Sequence, residues 1–584
     1  MLWHWREPSA IYALHPPGRL IVTPAAGNAP LGLCSFEKPG RIGLVPTPLP
    51  AADPPGPTFS QLGAVERTEI HSWVLMSICG RPVGEPGGAS MRVSEYYKLG
   101  RTQPTLDFVD VDVEKDTPVY IDPSTLKNLP DEWSSQCHTM LSTFFHSVVD
   151  AINAGDQNRL RELLVRLQEP NETHFGLSKG KSRGRGLGPY LVQRITNNLV
   201  VSRAAETGML EDLEDTALFI EGIGKDIISD VTTNIIRGML ISYTQSMASI
   251  YGMELQDGVY SGLVWNHSTC EWEEGNTRML LPGSPLLLVP KVIVRHDLHL
   301  TKEEYFRNHL APTLQDEELD KPGSKLVQTA KTGRKYVTKM DIEKEFGGDK
   351  EKMVDLTLTR SRVLRAYKEE KRKKPSRPLD HHELSAATGT KPVDYQNLLN
   401  DVLDTPPGAE NATTYHHRVH ALLSAVFYPW LTYPIVEHPL DQSRKRVDIT
   451  YTNNATEGFF GWITRQGHPS SHIFVECKNY HSELGNPELD QLCGRFSPLR
   501  GKVGLLLCRS LTNKDHFLQR CRDTALSRHE FVLLLDDSDL SDLVDEVITA
   551  QSPADSNRID DEDQEQPYPG EFRLLFERFR KLVS

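Results

Sequence analysis

The stretch FVECKNY, residues 474–480, places a carboxylate and an ammonium two residues apart at the end of an apolar run. Successive side chains of a strand point to opposite faces, so we expect Glu476 and Lys478 on the same face. Such a pair has two interpretations. It is a surface ion pair of little energetic value, or it belongs to a metal-dependent phosphodiesterase in which the carboxylate holds Mg²⁺ and the lysine serves the attacking water.

The segment around this pair alternates helices and strands. Apolar residues between Val419 and Trp430 recur at helical spacing and predict a buried amphipathic helix. Three strands follow, at YPIVEHP, KRVDITYTN and HIFVECKNY, and helices then alternate with the apolar strands KVGLLLC (502–508) and FVLLL (531–535). Strands that are apolar on both faces and alternate with helices predict a parallel portion between helical layers.

This order, with Asp448 on the second strand, Glu-x-Lys on the third and Gln491 on the next helix, resembles the PD-(D/E)XK nuclease superfamily and, within it, the Mrr-like branch. The resemblance covers about residues 394–550. It implies a restriction-endonuclease-like α/β/α sandwich with a mixed sheet, and the activity of a metal-dependent endonuclease.

The resemblance also implies a role for each residue. Asp448 and Glu476 would hold Mg²⁺, or alternatively Mn²⁺, together with the backbone carbonyl of Cys477, because hard divalent cations take oxygen ligands. Lys478 would hold or deprotonate the nucleophilic water and offset the charge that builds on the phosphate. Gln491 would orient Lys478 or contact the scissile phosphate.

One position departs from the family pattern. The first helix of the family commonly carries a Glu, whereas the corresponding turn here holds Tyr415, His416 and His417. Glu410 stands too early to replace it, and we expect the two histidines at the surface or the helix N-terminus rather than among the ligands. The departure predicts a weakened site. It keeps open the alternative of a weak or inactive nuclease-like protein that binds nucleic acid or acts as a scaffold.

A chain of 584 residues is too long to fold around a single hydrophobic core, so we expect several domains. Patterning predicts a mostly helical α+β domain before residue 300, with strands near 106–113, 117–123 and 285–298. The predicted segments in chain order are a Pro/Gly-rich arm at 1–60, the α+β sensor or regulatory domain at 61–300, a charged helical connector and hinge at 301–393, the nuclease domain at 394–550, and an acidic tail with a short C-terminal helix at 551–584.

The charge distribution bears on nucleic-acid binding. The chain has 65 basic and 79 acidic residues and a net charge of −14, which argues against indiscriminate coating of nucleic acid. Basic residues are concentrated at 362–378, however, and this segment is predicted to contact DNA phosphates. The predicted contacts there are Lys371, Arg372, Lys373 and Lys374. Lys445 and Arg446, beside Asp448, are further candidates that solvation alone would also explain.

The remaining composition constrains location. The eight cysteines form no CxxC pair, so neither a zinc site nor a disulfide framework is indicated. No apolar stretch is long enough to cross a bilayer, and the first residues lack the blocks of a signal peptide. We therefore expect a cytoplasmic protein with no membrane partner.

These features predict a Mg²⁺-dependent DNA endonuclease. By analogy of layout, it would be a regulated nuclease of prokaryotic antiviral or anti-plasmid defence. The expected partners are DNA, a regulatory protein bound through the N-terminal half, and further copies of the chain in a homodimer or higher oligomer, because cutting both strands in one event needs two active sites. RNA as the substrate stays open, as does an N-terminal enzyme of other chemistry with the nuclease domain as an accessory.

Overall fold

A computed structural model describes residues 91–176, 197–200, 202–440, 445–480, 483–551 and 570–584. The predicted arm at 1–60 lies outside these residues, as does most of the acidic run after residue 551. All described residues belong to one compact unit. It holds two hydrophobic clusters, one built mainly from residues 93–384 and one from residues 395–582.

The C-terminal cluster surrounds a five-stranded sheet. Its strands are β1 (Leu431–Leu440), β2 (Lys445–Asn453), β3 (His472–Lys478), β4 (Val503–Cys508) and β5 (Phe531–Leu535). The spatial order is β5-β4-β3-β2-β1, antiparallel from β1 to β3 and parallel from β3 to β5. The predicted mixed sheet with a parallel portion is therefore confirmed.

Helices pack around this sheet. They are α1 (Tyr395–Leu403), α2 (Ala412–Val426), α3 (Gly458–Arg465), α4 (Asn486–Cys493), α5 (Lys514–Arg528), α6 (Asp537–Gln551) and α7 (Arg573–Val583). Strands β4 and β5 are buried along their whole length, which explains their unbroken apolar sequences. Helix α4 packs against β3, β4 and β5, and α2 packs against β1 and β3.

Two of these helices matter for the predictions. In α2, the apolar stripe of Val419, Leu422 and Leu423 is fully buried, as its spacing predicts. The short helix predicted near the C-terminus is α7, and its residues Leu575 and Phe579 lie in the core of the sheet domain. Helix α7 is therefore a structural part of that domain rather than an appendage of the acidic tail.

The part before residue 390 is mostly helical, as predicted. Its helices are Val93–Tyr96, Pro123–Asn128, Glu132–Asn153, Gln157–Leu164, Arg203–Glu206, Asp215–Phe219, Lys225–Ile235, Arg237–Tyr251, Lys302–Glu304, Ala311–Asp320, Lys339–Phe346, Lys350–Leu358, Ser361–Lys373 and His381–Thr388. Its strands are Tyr120–Ile121, Gln256–Asn266, Glu271–Met279, Val294–Arg295, Gln328–Thr329 and Lys335–Tyr336. The strands Gln256–Asn266 and Glu271–Met279 form a long antiparallel hairpin that the sequence analysis missed.

The strands predicted at 106–113 and 285–298 are wrong over most of their length. Both segments are buried, but in the described structure they pair only locally. Phe108 and Pro290 form an isolated bridge, and only Val294–Arg295 pairs with Tyr120–Ile121. An apolar run signals burial rather than strand pairing, and Pro290 has no N–H to donate to a ladder.

The segment at 301–393 also differs from the predicted connector. Tyr305, Leu364 and Tyr367 are buried in the N-terminal cluster, and Leu384 belongs to it as well. The helices of this segment contact that core through apolar residues and also through Lys368, whose ammonium pairs with the buried Asp215 at 2.8 Å. They therefore extend the N-terminal core instead of forming a separate arm.

Buried polar contacts join the N-terminal part to the sheet domain. The N–H of Tyr433 donates to Asp107 Oδ1 at 3.1 Å. The ammonium of Lys291 lies 4.2 Å from the ring centre of Tyr428, and the Tyr428 hydroxyl donates to the carbonyl of Leu379 at 2.9 Å. The two parts are therefore held in register by directional contacts as well as by apolar packing.

None of the helices in the described part of the chain is long and apolar enough to cross a membrane.

Candidate active site

The register of β2 and β3 brings two carboxylates to the same end of the sheet. Ile449 pairs with Val475 in this antiparallel ladder, so continuing the register by one residue sets Asp448 opposite Glu476. In the parallel ladder on the other side of β3, Leu506 pairs with Glu476 and Cys508 pairs with Lys478. Glu476 and Lys478 thus occupy the end of a central strand, beside a carboxylate from its neighbour.

Glu476 and Lys478 contact each other directly. The Lys478 ammonium donates to Glu476 Oε1 at 2.7 Å and to Gln491 Oε1 at 3.1 Å, and the Gln491 amide donates back to Glu476 Oε1. The side chain of Glu476 is 1% exposed and that of Lys478 is 12% exposed. The three residues form a closed triangle, in which Gln491 from α4 fixes both charged groups.

The electrostatics of Glu476 combine opposing effects. Burial raises the pKa of its carboxyl, and the negative charge of Asp448 raises it further. The ammonium of Lys478 acts in the other direction and lowers this pKa. A carboxylate with so little contact with water, next to a second carboxylate, is a group that a cation would stabilise.

Asp448 contacts the backbone of β3. The N–H of Cys477 donates to Asp448 Oδ2 at 2.7 Å, which fixes the carboxylate beside the strand end. The side chain of Cys477 itself belongs to the hydrophobic cluster. Cys477 therefore contacts the strand end through its backbone N–H, and the cation-binding role predicted for its carbonyl stays a prediction.

His416 is the residue that the sequence analysis placed outside the ligands. It comes from the first turns of α2, and its Nε2 lies 3.6 Å from Asp448 Oδ2 and 3.3 Å from the carbonyl oxygen of Cys477. Tyr415 beside it is buried, and the carbonyl of His417 accepts from Arg101 of the N-terminal part at 2.9 Å. Packing of α2 against β3 brings His416, near the start of α2, close to the strand end.

Glu410 precedes α2 in the chain. It is exposed on the short 3₁₀ turn Ala409–Asn411 that precedes α2. Its contact in this turn is with the neighbouring Asn411, whose amide donates to it at 3.4 Å. That Glu410 stands too early to take the place of a first-helix Glu stays a prediction.

The donor atoms at this edge suit a divalent cation. Within the described part of the chain, His416, Asp448 and Cys477 form a group whose ligand atoms all lie within 4.8 Å of one another. Oε2 of Glu476 is buried and has no hydrogen-bond partner in the described structure. An unpartnered buried carboxylate oxygen costs free energy, and a cation bound to it would remove that cost.

The basic residues predicted to bind DNA are not gathered at this edge. Lys371 pairs with Glu304 at 2.5 Å, and Lys373 pairs with Glu369 at 3.6 Å, while Arg372 and Lys374 are exposed. The contact with Glu304 attaches the basic segment to the N-terminal part, whereas the pair of Lys373 and Glu369 lies within one helix. Near the site, exposed Arg446 pairs with Glu437 of β1 at 3.3 Å, and the side chain of Lys445 lies outside the described part.

Comparison with known proteins gives one match. Residues 98–301 match a family described as Domain of unknown function (DUF8370). The matched region covers the N-terminal part and ends before the sheet, so it contains none of the residues at the strand edge. No curated protein matches the chain, and no solved structure matches it. What the sheet edge does must therefore be inferred from its own residues.

Proposed function

We propose that this protein is a divalent-cation-dependent endonuclease that hydrolyses DNA phosphodiester bonds, with a restriction-endonuclease-like sheet domain and its active site at Asp448, Glu476 and Lys478. The observation that carries the proposal is the convergence of three different elements on one strand end. A carboxylate from β2, an amide from α4 and the pair on β3 meet there. A plain surface ion pair needs none of these neighbours.

The cation would be held by Asp448, Glu476 and the carbonyl of Cys477. When bound, Mg²⁺ supplies a Lewis acid that makes water more acidic and neutralises charge on the phosphate. Support for this assignment comes from the unpartnered Oε2 of Glu476 and from oxygen donors of the kind that this ion prefers.

Lys478 would serve the attacking water and the phosphate. An ammonium has three N–H donors, and two of them are used by Glu476 and Gln491. The third is available to hold a water or to donate to a phosphate oxygen as negative charge develops in the transition state. Gln491 acts as a positioning residue, because its amide fixes both members of the pair.

The proposal includes the wider role predicted from the sequence. The enzyme would be a regulated, cytoplasmic nuclease of prokaryotic antiviral or anti-plasmid defence, acting as a homodimer or higher oligomer. The N-terminal part that matches DUF8370 would be its regulatory half. A route for control exists in the contact between Arg101 and the carbonyl of His417, one residue from His416.

A second function is favoured by one observation. Glu476 Oε1 already accepts from both Lys478 and Gln491, and a histidine stands where the family commonly has a Glu. A site closed in this way suits a nuclease-like protein that binds nucleic acid without cutting it. A single assay distinguishes the two functions.

The assay incubates the full chain with supercoiled plasmid in the presence of Mg²⁺, Mn²⁺ or EDTA. We expect nicking or linearisation with the divalent cations and none with EDTA. Asp448→Asn should lower the rate by about 100-fold or more, because it removes a preorganised charge. Glu437→Gln is the matched control, since Glu437 is an exposed carboxylate of the same sheet, and it should cut like the wild type. Binding without cleavage under all conditions would establish the second function.

A further inference from the structure

The residue that departs from the family pattern faces the cation ligands. Nε2 of His416 lies 3.6 Å from Asp448 Oδ2 and 3.3 Å from the carbonyl oxygen of Cys477. Adjacent ligands of an octahedral ion with bonds of about 2.1 Å lie about 3.0 Å apart. His416 is thus close to the position of a neighbour to both oxygens around one ion.

The surroundings of this imidazole distinguish a cation ligand from a residue that only packs. The side chain of His416 is 27% exposed, as expected at the mouth of a site. Its Nε2 forms a hydrogen bond with the Cys477 carbonyl and faces the Asp448 carboxylate, and both of these oxygen groups can also coordinate cations. The unpartnered Oε2 of Glu476, in a side chain that is 1% exposed, is an independent indication that the same edge receives a cation.

We propose that His416 is a ligand of the same cation as Asp448 and the Cys477 carbonyl, and that it makes the site prefer Mn²⁺ to Mg²⁺. The inference rests on the proposed function for the presence of a cation at this edge. Mg²⁺ takes oxygen ligands and gives up its waters reluctantly. Mn²⁺ accepts the same oxygens and also gains from a nitrogen ligand, so one imidazole adds affinity for Mn²⁺ without an equal gain for Mg²⁺.

The thiol of Cys477 offers a competing arrangement. Its sulfur also lies within 4.8 Å of the ligand atoms of His416 and Asp448, and three such groups would suit Zn²⁺. Cys477 is 3% exposed and packs in the hydrophobic cluster, so its carbonyl, and not its sulfur, is assigned to the cation. The substitution Cys477→Ser keeps the carbonyl and removes the sulfur, which separates the two arrangements.

The experiment measures metal binding to the full chain without DNA. Titration calorimetry with MnCl₂ and MgCl₂ should give at least about tenfold tighter binding of Mn²⁺. His416→Ala should weaken Mn²⁺ binding about tenfold and leave Mg²⁺ binding within about twofold. His416→Glu should reduce the difference between the Mn²⁺ and Mg²⁺ affinities, because the added carboxylate favours Mg²⁺. Cys477→Ser should change neither affinity, and His417→Ala is the matched control for loss of an imidazole.

Spectroscopy tests directly whether a nitrogen atom coordinates the bound Mn²⁺. Pulsed electron paramagnetic resonance of bound Mn²⁺ should show coupling to a coordinated nitrogen in the wild type and in His417→Ala, and none in His416→Ala. His416→Gln provides a second variant, should His416→Ala fail to melt cooperatively, and it should also lack the nitrogen coupling. A nitrogen signal that survives both substitutions would overturn the inference.

The outcomes for metal binding and for cleavage are distinguishable. A preference for Mn²⁺ that His416→Ala removes would uphold the inference even in a protein that cuts no plasmid, where the proposed function fails. Equal affinities for the two ions in the wild type and in His416→Ala would overturn the inference and leave cation-dependent cleavage standing. Loss of Mn²⁺ binding in Cys477→Ser would overturn the assignment of the carbonyl.

Discussion

Two lysines of this chain lie near buried carboxylates and have different surroundings. Lys291, in the N-terminal part, is fully buried under the ring of Tyr428, and the nearby Asp107 is closed in by the Tyr243 hydroxyl, which donates to it at 2.8 Å. Lys478 pairs with Glu476 at a strand end, where Asp448 is 22% exposed. The same residue types are therefore sealed between two parts of the molecule in one case and lie at the end of a central strand in the other.

The sealed pair shows what burial does to charge. Burial lowers the pKa of Lys291 to about 7, and the charge of Asp107 opposes the shift. Burial also raises the pKa of Asp107, which Lys291 partly offsets. Because desolvation of such a pair is costly, its contribution is to fix how the N-terminal part meets the sheet domain rather than to add much stability.

The largest expected effect comes from substituting either member of the Glu476–Lys478 pair. Glu476→Gln and Lys478→Ala should each lower the rate of plasmid cleavage by about 100-fold or more, because each removes a preorganised charge. Gln491→Ala should lower it by roughly tenfold, since positioning is lost and both charges remain. Single-turnover rates measure the effect, with DNA affinity from fluorescence anisotropy as the control for folding. Cleavage by Glu476→Gln at the wild-type rate would show that the edge is not the active site.

A smaller effect concerns the basic segment of the N-terminal part. Replacing Lys371, Arg372, Lys373 and Lys374 with Ala should weaken DNA binding and flatten its dependence on salt. Two of the four already pair with carboxylates, so the slope of log affinity against log salt should fall by roughly two units rather than four. The control replaces the exposed Lys331 and Lys335. An unchanged slope would mean that the segment is only a solvated helix end.

The smallest effect is a change of stability with pH in the N-terminal part. Burial raises the pKa of Asp230 from 3.8 to about 8, and the neighbouring carboxylates of Asp226 and Glu169 add to the shift. The folded state therefore keeps a proton that the unfolded state loses, so stability is full below pH 4 and falls as the pH rises toward 8.

Asp230→Asn removes this dependence. Its melting temperature should exceed that of the wild type by about 2–4 °C at pH 8 and match it near pH 4. Thermal melts across this range measure the difference, and Asp257→Asn, which changes an exposed carboxylate, serves as the control. If the melting temperatures of Asp230→Asn and the wild type changed with pH in the same way, Asp230 would be ionised in the folded state.

The same contrast between the two parts appears in what the sequence could predict. The sheet domain is built from strands and helices that alternate with short connections, so local periodicity was enough to predict its order and its parallel portion. In the N-terminal part, the segments at 106–113 and 285–298 are buried without extended pairing. Burial made them resemble strands, and periodicity cannot distinguish the two cases.

At the site, sequence spacing predicted contacts that are local and missed one that is not. Glu476 and Lys478 are two residues apart on one strand, so their contact followed from strand geometry. His416 approaches Cys477 only because α2 packs on β3. The two residues are 61 positions apart in the chain, so no local spacing predicts their contact. The clue available in the sequence was the place of His416 at the turn that the resemblance to PD-(D/E)XK nucleases compares with a Glu-bearing one.

The most direct test compares the two lysines in one set of measurements. Lys478→Met should lower plasmid cleavage by about 100-fold or more, measured well below its melting temperature, which should also fall because the buried Glu476 loses its counter-charge. Lys291→Met should leave Asp107 buried without its counter-charge and lower the melting temperature by roughly 5–10 °C, while cleavage well below that temperature stays within about threefold of the wild type. Loss of stability without loss of rate in Lys478→Met would contradict the assignment of the strand edge as an active site.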